Sequence, residues 1–278
     1  MKMLIKELHM KRQLDCRAFL SYLVAVLLAA AVLGTSGCAS QQSGQVPTSK
    51  QYLDLRHYEF ATAEQQAAFE QFMADAAIPA LNRLGISPVG VFKEAEADKL
   101  GLYVLLPHPS LASVGTANTL LLADKTFQKA GSAVIDSPKG SPVYRRFESS
   151  LLLSFDDCPK VEVPSKKATR VFELRIYESH NTTKAKRKIE MFNEGGGEIA
   201  IFRETGLNPV FFGETIAGKL MPNLTYMVGF DDMEAREAAW SVFRIHPDWK
   251  RISKLDYYKD TVSHITKSVL KPAACSQI

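Results

Sequence analysis

The chain contains two copies of one pattern, which points to a fold built from two similar halves. The segment 171-VFELRIYESH-180 alternates apolar Phe172, Leu174 and Ile176 with polar Glu173, Arg175 and Tyr177. In 52-YLDLRHY-58 the same order returns, with Asp54, Leu55, Arg56 and Tyr58 standing against Glu173, Leu174, Arg175 and Tyr177. Strict alternation is the mark of a strand. Further along, 85-GISPV-89 matches 206-GLNPV-210, and 103-YVLL-106 faces 226-YMVG-229. The separation widens from match to match, so insertions fall between shared elements rather than within them.

The second copy reads as a strand over 170–178, a helix over 183–205 interrupted by 195-GGG-197, strands over 208–215 and 224–230, a helix over 232–245 and a last strand near 260–270. Asp231 and Glu234 form a cap signal ahead of the second helix, and Pro247 stops it. In the first copy the helix from Ala63 to Ala77 meets Pro79, near the point where glycines break the other. The order βαββαβ is the ferredoxin-like split motif. Such a sheet carries helices on one face only, and a second sheet is an economical cover for the other. The expected fold is therefore α+β: tandem ferredoxin-like repeats over 51–160 and 170–278, joined by a linker at 161–169 and closed into an intrachain dimeric α/β barrel.

The N-terminus reads differently. Residues 1–37 combine a basic start with an uncharged apolar run from Ala18 to Leu33, as an export signal does. That run is short for a spanning helix, which needs roughly 20 apolar residues. The following 35-TSGCAS-40 resembles a bacterial lipobox, which implies cleavage before Cys38 and lipidation of its thiol. Residues 38–50 are Ser/Gln-rich and suit a flexible tether. The expected location is the bacterial cell envelope, as a periplasm-facing lipoprotein, with a secreted soluble periplasmic protein as the alternative. Removing residues 1–37 leaves 29 basic and 28 acidic side chains, a balance that gives no electrostatic footprint for nucleic acid. Cys158 and Cys275 fall in separate halves and are expected to be free thiols.

Four stretches of the second half, 173-ELRIYE-178, 206-GLNPVFFGE-214, 224-LTYMVGFDD-232 and 246-HPDWKRI-252, are similar to the NIPSNAP domain. The likeness is strong over about 170–272 and weaker over 51–156. The first half lacks the Pro-Asp-Trp element, and its 110–142 region is rich in Gly, Ser and Pro. The resemblance implies the dimeric α/β-barrel superfamily, whose other branches include cofactor-free monooxygenases of aromatic substrates, haem-degrading enzymes and isomerases. It brings no established catalytic set.

If the apolar parity of each first strand faces the helices, Asp54, Arg56, Tyr58, Glu173, Arg175 and Tyr177 point into the barrel. Residues two apart on one strand face reach each other, so Asp54 with Arg56 and Glu173 with Arg175 read as structural pairs, or else the arginines hold an acidic or phenolic ligand. On the last strand His264, Thr266 and Ser268 share a parity, and facing inward they would add an imidazole to the same cavity. His57 is expected on the helix-facing parity, His108 in a turn and His246 at a helix end. Trp240 and Trp249 have helical spacing with Phe243 and Ile252, which favours core packing. No histidine or cysteine spacing suits zinc, no Gly-rich phosphate loop occurs, and no cofactor is evident. The expected function is a non-catalytic module binding a small aromatic or acidic ligand or a partner protein. The alternative is a monooxygenase-like enzyme for an aromatic or quinone-like substrate, with Arg175 orienting an anion and His264 or Tyr177 moving protons. Homo-oligomerisation is left open.

Overall fold

The computed structural model describes residues 49–96, 99–193, 195 and 197–278; the expected export signal, Cys38 and most of the tether lie outside the described residues. The first half runs β1 (Tyr52–Glu59), α1 (Ala63–Phe72), α2 (Ile78–Arg83), β2 (Gly90–Glu94), β3 (Gly101–His108), α3 (Leu111–Ala123), α4 (Lys125–Ile135) and β4 (Arg146–Ser154). The second runs β5 (Val171–Glu178), α5 (Thr182–Asn193), α6 (Glu198–Thr205), β6 (Asn208–Ala217), β7 (Asn223–Phe230), α7 (Met233–Ile245), α8 (Pro247–Ile252) and β8 (His264–Pro272).

The eight strands close into an antiparallel barrel in the order β1-β3-β2-β8-β5-β7-β6-β4. Each half supplies four consecutive strands of the ring, and the halves join where β2 pairs with β8 and β4 with β6. β1 and β5 run parallel across the ring, because every neighbouring pair is antiparallel. Closure leaves no sheet edge for another chain to extend.

Local chemistry accounts for the helix boundaries. The Thr62 hydroxyl accepts from the Gln65 N–H at the start of α1, and Asp232, rather than the expected Asp231, caps α7 by accepting from the Ala235 N–H. Gly206 takes φ +83° at the end of α6, a left-handed turn that glycine enters without steric cost. The first-half helix does not break at Pro79. It passes from α1 to α2 through a π-helical turn, Met73–Ala77, in which the Ile78 N–H reaches back to the Met73 carbonyl. Pro79 has no N–H to donate, and the widened turn carries the chain past it.

The barrel filling reverses the expected parity. Leu53, Leu55, Phe92, Leu105, Leu152, Phe172, Leu174, Phe211, Met227 and Leu270, drawn from both halves, form one buried cluster inside the ring, joined by Ile278. The polar parity, Asp54, Arg56, Tyr58, Glu173, Arg175 and Tyr177, therefore faces the helices. On that side Glu173 meets Arg236 and Trp240 of the helix layer and Asp54 meets Ser149 of β4, whereas the ring interior offers mainly hydrocarbon. The two helix-side cores remain separate, one around Phe69, Met73 and Leu81, the other around Phe192, Phe202 and Trp240.

Candidate functional site

In the second half the space between sheet and helices is filled by a polar network. Glu173 is completely buried. Arg175 donates to its Oε1 from Nε (2.6 Å) and Nη2 (2.5 Å). Arg236 of α7 donates to Oε2 from Nε and Nη2, both at 2.7 Å, and the Trp240 indole N–H adds a bond of 2.9 Å. The Arg175 guanidinium lies 3.7 Å from the centroid of the Trp240 ring and donates to the Tyr177 hydroxyl at 3.3 Å. That hydroxyl is in turn 2.9 Å from the Tyr226 hydroxyl. Burial alone would lower the Arg175 pKa, but Tyr226, Tyr177 and Glu173 outweigh it and hold the cation firmly protonated. Tyr226 is pushed well above the usual phenol range by burial and by Tyr177. Deeper in the same layer Lys188 is bonded to Glu198, whose carboxyl is raised by burial despite the Lys188 charge. Every polar group here has a protein partner, and the network leaves little for a ligand to do.

The first half begins in the same way. Arg56 donates to Asp54 Oδ2 from Nε (2.8 Å) and Nη2 (2.7 Å), and the Ser149 hydroxyl donates to Oδ1 at 2.5 Å. Burial works against the Arg56 charge, and Asp54 and Tyr58 overcome it. Above this pair there is space: a cavity of about 270 Å³ floored by Arg56, Tyr58, Val104 and Leu106 and roofed by Phe69, Phe72, Met73, Ala117, Asn118, Leu121 and Phe127. Tyr144, just before β4, and Phe147, which pairs with Tyr58 at the start of that strand, close one side. Tyr58 stacks on Phe147 at 4.9 Å and meets Tyr144 edge to face at 5.2 Å. The π-helical turn contributes Met73 and Ala77 to the wall.

Two substitutions between the halves explain why one is open and the other closed. Val104 pairs with Arg56 across the sheet as Tyr226 pairs with Arg175. Asn118 stands at the same distance from the Ser110 cap of α3 as Trp240 does from the Asp232 cap of α7. Exchanging a phenol and an indole for an isopropyl group and a short amide empties the volume above the arginine. The sequence match of Tyr103 with Tyr226 is thus one residue out of register, and the equivalent of Tyr226 is Val104.

The expected site residues separate into three places. Arg56 and Tyr58 line the cavity, with Asp54 behind Arg56. Glu173, Arg175 and Tyr177 occupy the filled layer of the other half. His264 and Thr266 pair with Glu178 and Ile176, on the opposite sheet face from Arg175, with His264 exposed at one end of the strand. Arg175 and His264 therefore do not converge, because strand pairing puts them on opposite faces of the sheet. His57 also lies on the barrel parity, stacked on Tyr103 at 4.3 Å with Nε2 3.7 Å from Glu94 Oε1. His108 is the buried last residue of β3, held by a 3.0 Å contact between Nδ1 and the Ser113 hydroxyl. Cys158 and Cys275 are both free thiols. Among the described residues no group of His, Cys, Asp and Glu has the arrangement of a metal site.

Residues 172–277 match the NIPSNAP family model. No curated protein matches the chain. Among solved structures, a candidate monooxygenase from Fusobacterium nucleatum is 10% identical over 81% of this chain and 93% of its own, with a TM-score of 0.53. A second candidate monooxygenase, from Lactobacillus acidophilus, is 12% identical over 81% and 94%, with a TM-score of 0.52. An uncharacterised NIPSNAP-like domain protein from Burkholderia xenovorans is 20% identical over 38% of this chain and 88% of that one, with a TM-score of 0.35. The first two share the barrel fold across both halves; at these identities the likeness extends to the fold alone.

Proposed function

We propose that this chain is a NIPSNAP-type binding protein built from two ferredoxin-like repeats, in which the NIPSNAP-matching half is a filled scaffold and the divergent first half holds a small molecule. The observation that carries this reading is the cavity above Arg56, open where the equivalent space is occupied by Tyr226 and Trp240. Its walls are aromatic and aliphatic, and its polar groups are Arg56, Tyr58, Asn118 and Tyr144. A buried apolar hole of about 150 Å³ takes up benzene, so this one suits a flat molecule of one or two rings. An acidic or phenolic edge would meet the guanidinium at the floor. Among the described residues no histidine, cysteine or carboxylate lines the cavity, which favours binding over proton transfer. Export and lipidation at Cys38 belong to the same proposal and rest on the N-terminal sequence.

Mass spectrometry of compounds retained by the purified protein tests the cavity. The expected result is an aromatic compound that is lost in Val104→Tyr, which restores the side chain of the filled half. Arg56→Gln should weaken an acidic ligand by roughly ten- to a hundredfold, the worth of a charge-assisted hydrogen bond. Undiminished retention by a folded Val104→Tyr protein would place the ligand elsewhere and overturn the reading. For the anchor, Cys38→Ser should block lipid attachment and processing in cells; normal processing rejects it.

A further inference from the structure

The helix that roofs the cavity is unusual on its outer side. α3, LASVGTANTLLLA, contains no charged residue, yet most of it is exposed. Leu111, Leu120 and Leu122 are 54%, 48% and 44% exposed, and the small residues Ala112, Gly115, Thr116, Thr119 and Ala123 are exposed with them. A surface helix ordinarily carries charge on its outer face, whereas the exposed polar groups of α3 are uncharged, Thr116, Asn118 and Thr119.

We infer that the outer face of α3 rests on a lipid bilayer containing anionic headgroups, so that the cavity roof lies against the membrane. Three further features single out this occupant. The first is the chain's entry point: Tyr52, the first residue of β1, pairs with His108, two residues before the cap of α3. The tether thus enters the body beside the helix, and its thirteen residues reach at most about 45 Å. Charge is the second. From Leu111 to Arg146 the basic residues are Lys125, Lys129, Lys139, Arg145 and Arg146, against Asp124 and Asp136 alone, and Asp124 is engaged by Arg83. Basic residues flanking an apolar face favour anionic lipid. The third is continuity with the cavity, since Asn118, Leu121 and Leu122 belong to both the helix and the cavity wall. Among the described residues no helix is long and apolar enough to cross a membrane, so α3 would lie in the interface.

The test uses the full-length protein reconstituted in vesicles of phosphatidylcholine and phosphatidylglycerol with brominated acyl chains, which quench indoles at the depth of the lipid tails. Trp240 and Trp249 supply a constant background, so the reporter is the added emission of Leu120→Trp, compared with that of Ile245→Trp on α7, where the side chain is 66% exposed. The expected result is a blue shift and loss of most of the added emission for Leu120→Trp and little change for Ile245→Trp. Lys125→Glu with Lys129→Glu should relieve the quenching. An unquenched Leu120→Trp, or equal quenching at both positions, overturns the inference. So does a blue-shifted Leu120→Trp in lipid-free solution with dimeric sedimentation, which would assign the face to a second copy of the chain. Ligand retention in Val104→Tyr is read separately, so the surface and the cavity can fail independently.

Discussion

Asp54 and Glu173 occupy equivalent positions, and their surroundings make them very different in weight. Glu173 is fully buried and answers two guanidinium groups and an indole, so Glu173→Ala strands three donors in a dry layer. Breaking a buried ion pair by removing one partner costs about 3–5 kcal/mol, and the denaturation midpoint should fall accordingly. Asp54→Ala releases Arg56, whose side chain is 30% exposed and can be rehydrated; the expected loss is about 1 kcal/mol. Equal losses would mean that the halves are not asymmetric in the way described. A second expectation concerns acid. Burial lowers the pKa of His108, with Asp54 opposing, and its Nε2 has no protein partner. An imidazole held neutral in the folded state binds its proton more readily when unfolded. Stability should therefore be fully present above the ordinary histidine value near 6.5 and decline as pH falls below it, towards the lowered folded value. His108→Asn should flatten that part of the curve of denaturation midpoint against pH. Burial pushes the Cys158 thiol up to about 12, with Glu162 adding to the effect, so alkylating reagents at mildly alkaline pH should spare it until the protein unfolds. The pairing of Glu173 with Arg175 was legible in the sequence because the two lie on one strand face. Arg236 and Trp240 were not, because their contribution depends on how α7 crosses the sheet.

Alternation along a strand reveals that its two faces differ and leaves open which way each one turns. Had each sheet been single, its apolar parity would have gone to the helices. Closure into a ring creates an interior drier than the helix layer, and Leu53, Leu55, Phe172 and Leu174 fill it. The same ambiguity separates His264 and Thr266 from the arginines in space. Helix packing defines the cavity just as closely. Gly131 lies where α4 meets α1, and a Cβ there would stand 2.7 Å from the Phe72 ring and 2.8 Å from Ile135 Cδ1. Phe72 and Ile135 both line the cavity. Gly131→Ala should therefore lever α4 outward, costing about 1–3 kcal/mol as overpacking does, and weaken ligand retention while leaving the second half intact. Retention unchanged in a destabilised variant would show that the α1–α4 contact does not shape the site. The 110–142 region, read as Gly-, Ser- and Pro-rich, holds two helices, α3 and α4, because Ser110 and Asp124 cap their starts.

Across the whole molecule, the matching sequence segments made a closed α/β barrel legible, while its consequence for stability comes from closure. The interior cluster takes Leu53, Leu55, Phe92, Leu105 and Leu152 from one half and Phe172, Leu174, Phe211, Met227 and Leu270 from the other. Neither half can bury its share alone, and each by itself would present two open strand edges, at β2 and β4 or at β6 and β8. The halves should consequently unfold together, although their helix layers share no core. The tryptophans make this measurable, because Trp240 and Trp249 both lie in the second half and report on it alone. Phe92 belongs to the first half, is fully buried inside the ring and meets Phe172 edge to face at 4.9 Å. Phe92→Ala should remove about 3–5 kcal/mol, the usual loss for a core aromatic. If the ring is one cooperative unit, the tryptophan fluorescence transition, reporting from the other half, must shift by the same denaturant increment as the far-ultraviolet circular dichroism. A dichroism curve that splits, with the tryptophan transition left in place, would show two halves that dock without depending on each other, and would reduce the barrel interior from a common core to an interface.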